Sequence, residues 1–179
     1  MAIQLTTLNT DVHQVEEFDC GETRINNFFR NAASKSKKNN ILHTFVLTDD
    51  CDPSRVMGFY SITNCTDTPP AGANSFLRSR RTIPGVLVAQ MGVDSEFQGQ
   101  KLGAQLLVSV ETHYLVRMVN VSPSIGLFVD AMTADLVPFY GKYGYSLVEP
   151  NDPKCLRLWK KNADCQTVLP LLPTLDSDP

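Results

Sequence analysis

Gln98-Gly99-Gln100-Lys101-Leu102-Gly103-Ala104 lies between an apolar run, Val86 to Val93, and a helical pattern that opens near Leu102. A strand that breaks into a glycine-containing loop and then starts a helix aims several unpaired backbone N–H groups at one spot. The helix dipole adds partial positive charge there. Such a turn holds phosphate or pyrophosphate without a charged side chain. Leu102, Leu106, Val110 and His113 recur at three- and four-residue steps, which supports the helix. Two nucleotide signatures are missing. A P-loop needs Lys-Ser or Lys-Thr after its second glycine, whereas Ala104 and Gln105 follow Gly103. A dinucleotide fingerprint needs a third glycine further on. The same residues also suit a packing turn, in which Gly103 lets the helix approach a sheet.

The elements that must position this loop are legible along the chain. Ile3 to Leu8 alternates as a strand, and Thr23 to Ala32 is helical through Ile25, Phe28 and Phe29, ending in the polar, basic stretch Ser34 to Asn40. Ile41 to Thr48 and Val56 to Thr63 read as a hairpin about a turn at Asp49 to Ser54. Asn64 to Thr82 reads as a long irregular segment. Pro84 to Val93 is a central apolar strand, and the helix after the loop extends to about Met118. Ile125 to Val129 is a buried strand. A short helix starts near Asp135, because Pro138 is tolerated only in a first turn. Tyr145 to Val148 and Cys155 to Trp159 close the sheet, and the Pro-rich segment from Asn162 lacks periodicity. The order predicts a mixed α/β layered fold.

The chain has 179 residues, 42% of them hydrophobic and 20% charged, which suits one globular domain with a full core. No apolar run approaches membrane-spanning length, and Met1 to Leu5 lacks the charge and apolar stretch of a secretion signal. A cytoplasmic protein is expected. The five cysteines never form a C-x-x-C pair and the three histidines show no ligand spacing, so no metal is expected. A net charge of −3 argues against non-specific nucleic-acid binding. Two local basic clusters depart from that average: Lys35, Lys37 and Lys38, and Arg78, Arg80 and Arg81. Both suit contacts to a phosphate backbone, and both also read as solvated loops.

The element order, with its loop after the fourth strand, resembles the GNAT N-acetyltransferase superfamily. The family's acetyl-CoA signature, Gln/Arg-x-x-Gly-x-Gly/Ala, is matched by Gln98 to Gly103 with one departure: Lys101 takes the place of the first glycine. Phe139-Tyr140-Gly141-Lys142-Tyr143-Gly144-Tyr145 looks like a second family segment. Glu17 to Glu22 with the Phe28-Phe29 helix, Val56 to Ile62, and Ile83 to Val88 resemble the GNAT toxins of type II toxin–antitoxin systems. Gln90 stands where many such toxins carry Arg.

The resemblance implies a GNAT fold over residues 1–161, followed by a tail at 162–179. It implies a central mixed β-sheet flanked by helices, with acetyl-CoA in a slot between splayed fourth and fifth strands. Met91, Gly92 and Val93 would pair with the pantetheine arm, and Gln98, Gly99, Gln100, Lys101, Leu102, Gly103 and Ala104 would hold the pyrophosphate. Tyr140 would be the general acid, since a phenol with pKa near 10 is protonated at neutral pH and can donate to a departing thiolate. The activity implied is acetylation of the α-amino group of an aminoacyl-tRNA, which blocks translation. Arg30, Lys35, Lys37, Lys38, Arg78, Arg80 and Arg81 would meet tRNA phosphates, and a ribbon-helix-helix antitoxin would be the protein partner, with a homodimer possible. Glu111 and Asp130 are the carboxylates available as a base, although one also reads as a solvated helix face and the other as a strand-end cap. Acetylation of a small amine or a protein amine is the alternative, and a non-catalytic acyl-CoA-binding module is a further one.

Overall fold

Strand-forming alternation and short turns dominate the first part of the chain, and the computed structural model, which describes residues 3–165, organises them as expected. Seven strands are β1 (Ile3–Thr7), β2 (His43–Asp49), β3 (Asp52–Asp67), β4 (Ile83–Val93), β5 (Gly126–Asp130), β6 (Ser146–Leu147) and β7 (Arg157–Lys161). Six helices are α1 (Thr23–Asn31), α2 (Ala33–Lys38), α3 (Ser75–Arg78), α4 (Leu102–His113), α5 (Val137–Lys142) and α6 (Asn162–Cys165). The strands form one sheet in the order β1-β2-β3-β4-β5-β7-β6. β1–β2, β2–β3, β5–β7 and β6–β7 are antiparallel, and β4–β5 is parallel, so the sheet is mixed. Parallel pairing joins Val86, Leu87 and Val88 to Leu127, Phe128 and Val129.

Packing divides the described residues into two units, one holding residues up to Thr63 with Ala89–Val110, the other Asn64–Val88 with residues from Glu111 onward. The first has an aromatic core. Phe29 stacks on Phe59 at 4.3 Å between centroids, and Phe18 meets Phe29 at 4.8 Å. Leu8, Ala33, Val46 and Val56 complete it. Buried rings of this size supply much of the driving force for packing. In the second unit Ile83, Phe128, Val148 and Trp159 form the core. No helix among the described residues is long and apolar enough to cross a membrane.

Three expectations are corrected. The basic stretch after α1 is a second helix, α2, whose Ala33 is fully buried. The segment from Asn64 is not irregular throughout: β3 continues to Asp67, and Asn74 caps the single turn of α3 by accepting the Leu77 N–H at 2.9 Å. The chain beyond β7 begins as α6, with Cys165 fully buried. The rest of the expected tail lies outside the described residues. The long helix does run to Met118, but its last turn, Tyr114–Met118, widens into a π-helix.

Candidate functional site

The first unit carries the loop. β4 ends at Val93, a short 3-10 turn spans Ser95–Phe97, and α4 opens at Leu102. Gly92 lets the strand end settle on the aromatic core. A Cβ there would meet Ile25, Phe18 and Phe59 at 3.2–3.3 Å. Within the loop Gly99 has φ +78° and Lys101 has φ 64°, both in the left-handed region. That region suits glycine, and a side chain there costs roughly 1–2 kcal/mol. The glycine expected at position 101 is therefore explained by backbone shape, and this chain makes the same turn with a strained lysine. Lys101 is exposed. Its carbonyl accepts the N–H of Ala104 at 3.0 Å and of Gln105 at 3.2 Å, so those two donors are already engaged.

Lys101→Gly removes that strain while returning about 0.5–1 kcal/mol to the freer unfolded chain. The variant is expected to melt at the wild-type temperature or slightly above it. Lys101→Val, β-branched at the same backbone angle, is expected to melt lower. A thermal melt of the three proteins checks both.

A network not anticipated from the sequence holds the loop. Asp94, 1% exposed, accepts the Asp19 N–H at 3.0 Å, the Glu96 N–H at 3.1 Å and Arg55 Nη2 at 3.3 Å. Arg55 also reaches Glu96 at 2.8 Å. Asp19 in turn accepts the Gly21 N–H at 2.8 Å and Asn26 Nδ2 at 2.7 Å, which hold its carboxyl below the ordinary carboxylate value. The Gln98 amide donates to the carbonyls of Cys20 and Val93, each at 3.0 Å, so this side chain braces the loop against the strand it leaves. Asp94 had a local signal: Asp-Ser-Glu directly after a strand reads as a side-chain cap. Its partners Asp19 and Arg55 are distant in sequence and carried none.

The second unit carries Tyr140, on α5, whose first turn contains Pro138 as expected. The ring is 6% exposed and packs edge-on to Phe139 at 5.2 Å and Tyr145 at 6.0 Å. Burial first, then the Asp130 carboxylate, pushes its phenol up to about 12. Among the described residues no hydrogen bond engages its hydroxyl. Tyr140 therefore stays a neutral phenol at ordinary pH.

The two carboxylates considered as bases are both engaged. Glu111 is not on a solvated face: it is 2% exposed and accepts Lys160 Nζ at 2.8 Å. Asp130 is not a simple cap: Arg157 grips it at 2.6 and 2.7 Å and reaches Asp67 at 2.5 Å. The Arg157 guanidinium is raised, chiefly by its bond to Asp130. Of the basic candidates, Lys35, Lys38, Arg78, Arg80 and Arg81 are exposed. Lys37 Nζ bonds the Leu8 carbonyl at 3.3 Å. Arg30 is drawn inward, with Nη2 on the Phe18 carbonyl at 2.6 Å.

The chain is 28% identical over 151 residues to a probable toxin TacT of Sinorhizobium fredii, covering 77% of this chain and 81% of that one. It is 29% identical over 161 residues to a tRNA-acetylating toxin of Mycobacterium tuberculosis, covering 86% and 90%. Among solved structures, AtaT complexed with acetyl-methionyl-tRNAfMet superposes with a TM-score of 0.82 at 20% identity, over 93% of this chain and 99% of that chain. A tyrosine-to-phenylalanine mutant of AtaT, bound to the C-terminus of the antitoxin AtaR and acetyl-CoA, gives 0.77 at 21% identity, over 94% and 99%. The model of the acetyltransferase (GNAT) domain matches residues 53–154, more than half of the sequence, and the chain belongs to that family.

Proposed function

We propose that this chain transfers the acetyl group of acetyl-CoA to the α-amino group of an aminoacyl-tRNA, acting as the toxin of a toxin–antitoxin pair. The observation that carries the reading is the left-handed Gly99–Lys101 turn opening α4, joined to likeness with a tRNA-acetylating toxin over 86% of the chain. The turn fits a pyrophosphate, because its curvature and the first-turn N–H groups of α4 leave donors between Gly99 and Gly103 to face an anion. Gln98 and Ala104 act at the edges of that cradle as a brace and a closed first turn.

Acetyl-CoA, when bound, supplies a thioester carbonyl and a thiolate leaving group. The backbone of Met91, Gly92 and Val93 would pair with the pantetheine arm as an added strand, and an N–H near Met91 would receive the carbonyl oxygen as charge develops on it. Tyr140 would deliver its proton to the departing sulfur. Neither Glu111 nor Asp130 is free to take the amine's proton, so water takes that role. The α-amine of an aminoacyl ester is acidic enough for this. The exposed Lys35, Lys38, Arg78, Arg80 and Arg81 would meet phosphates, with Lys37 beside them, and Arg30 would steady the Phe18 segment instead of reaching RNA. The partner expected is a ribbon-helix-helix antitoxin, and a homodimer is compatible with the reading.

Labelled acetyl-CoA incubated with total aminoacylated tRNA is expected to yield a base-labile acetyl-aminoacyl product. Acetyl-CoA binding without such a product overturns the proposal. A second reading, acetylation of a small or protein amine, is favoured by the net charge of −3 and the neutral Gln90. Turnover of a polyamine or peptide that persists when Arg78, Arg80 and Arg81 are neutralised would establish it instead.

A further inference from the structure

Phe76 is 63% exposed on α3, the single turn between β3 and β4. Its neighbour Leu77 packs inward against the Ile83, Phe128, Val148 and Trp159 cluster. The Phe76 ring faces outward, and the guanidinium of Arg80 lies 4.8 Å from its centroid. The turn is fixed at both ends. Asn74 caps it, and Ser79 Oγ donates to the Phe76 carbonyl at 2.8 Å. Arg78 and Arg81, two and five residues further along the chain, are exposed. Residues 68–93 contain no Asp or Glu, so no carboxylate adjacent in sequence offsets the three guanidiniums.

We infer that Phe76, with Arg80 over its ring, is a stacking platform for an unpaired nucleobase of the tRNA, while Arg78 and Arg81 hold the flanking phosphates. An aromatic ring and a planar guanidinium each offer a π-face to a base, and nearby cations track the backbone that carries it. Charge complementarity selects this occupant. A polyanion with exposed bases satisfies both the ring and the three cations, whereas an apolar protein surface would leave the cations desolvated and unpaired. The inference rests on the aminoacyl-tRNA reading above and adds to it a base contact that phosphate binding alone does not require.

The test measures steady-state acetylation of total aminoacylated tRNA, with tRNA binding followed across a salt series, for the wild type, Phe76→Ala, Phe76→Trp and Arg81→Ala. Loss of one stacked base corresponds to roughly a 5- to 150-fold weakening. Phe76→Ala is expected to raise KM for tRNA within that range, with kcat, acetyl-CoA affinity and melting temperature close to wild type. Its salt slope should stay unchanged, whereas Arg81→Ala should lower the slope by about one phosphate's worth. Phe76→Trp should restore binding. An unchanged KM in Phe76→Ala, or a Trp variant as weak as the Ala variant, overturns the inference. So does a Phe76→Ala defect seen only in binding the antitoxin. If the wild type itself acetylates no aminoacyl-tRNA, the functional reading has failed, which is a different result from an active wild type insensitive to Phe76.

Discussion

Tyr140→Phe is expected to lower kcat by about 10²–10⁴-fold, the usual worth of a positioned general acid, with acetyl-CoA affinity nearly unchanged. The substitution removes one oxygen and keeps the ring, so the packing against Phe139 and Tyr145 is preserved. It also strands no partner, since no described residue bonds to the hydroxyl. Turnover is thus separated from folding. The pH dependence sharpens the test. With its phenol pushed up to about 12 by burial and then by Asp130, Tyr140 stays protonated through neutral and moderately alkaline pH. An acid works only while protonated, so its contribution is present below that value and is lost only as pH rises through it. The wild-type kcat profile should show no descending limb from this group below about pH 11. Asp130→Asn removes the anion that helps hold the proton and should bring the limb to lower pH. Wild-type turnover in the Phe variant would remove Tyr140 from the chemistry. A limb near pH 9 in the wild type that vanishes in that variant would show that its environment is different from the one described.

Some of this was legible in the sequence because its signals are local. The loop follows a continuous apolar strand and precedes a helix with clear three- and four-residue recurrence, so its place between β4 and α4 could be read directly. The strain at Lys101 could be anticipated only through the resemblance, which expects glycine there. α3 escaped because one turn has no periodicity to detect. α2 escaped because Ser34 to Asn40 is polar and its one anchoring residue, Ala33, is small. The role of Tyr140 is a different case. An aromatic in a short helix has the same composition whether it packs or donates a proton, so the sequence offers the acid only through the resemblance, and Tyr140→Phe is the variant that separates the two. The engaged states of Glu111 and Asp130 were invisible for a simpler reason. Their partners, Lys160 and Arg157, lie on β7, 49 and 27 residues away.

That distant pairing makes the loss of Lys160 costly to the fold. Nζ of Lys160 and Oε2 of Glu111 sit 2.8 Å apart, with side chains 6% and 2% exposed. Removing one partner of a buried pair leaves an uncompensated charge and costs about 3–5 kcal/mol, whereas replacing both by neutral groups of similar size is often nearly neutral. Lys160→Met is therefore expected to lose stability on that scale, and Lys160→Met with Glu111→Gln to recover most of it. Chemical denaturation of the four proteins closes the cycle. Burial raises the Glu111 carboxyl above its ordinary value of 4.5, and the hydrogen bond and charge of Lys160 oppose that rise. Without Lys160 the rise is larger. A group whose folded pKa is raised binds its proton more tightly folded than unfolded, so stability grows as pH falls through the folded value and levels off near the unfolded one. Melting of the Lys160→Met protein should accordingly improve between pH 8 and pH 5 more than the wild type's does. The effect should reach the site as well. Lys160 Nζ stands 5.6 Å from the Tyr145 ring, and that ring packs against Tyr140. The single variant should thus lose kcat together with stability, and the double variant should regain both. A single variant as stable as the wild type, with no pH dependence of its melting, would show that water already screens the pair and that Tyr140 owes it nothing.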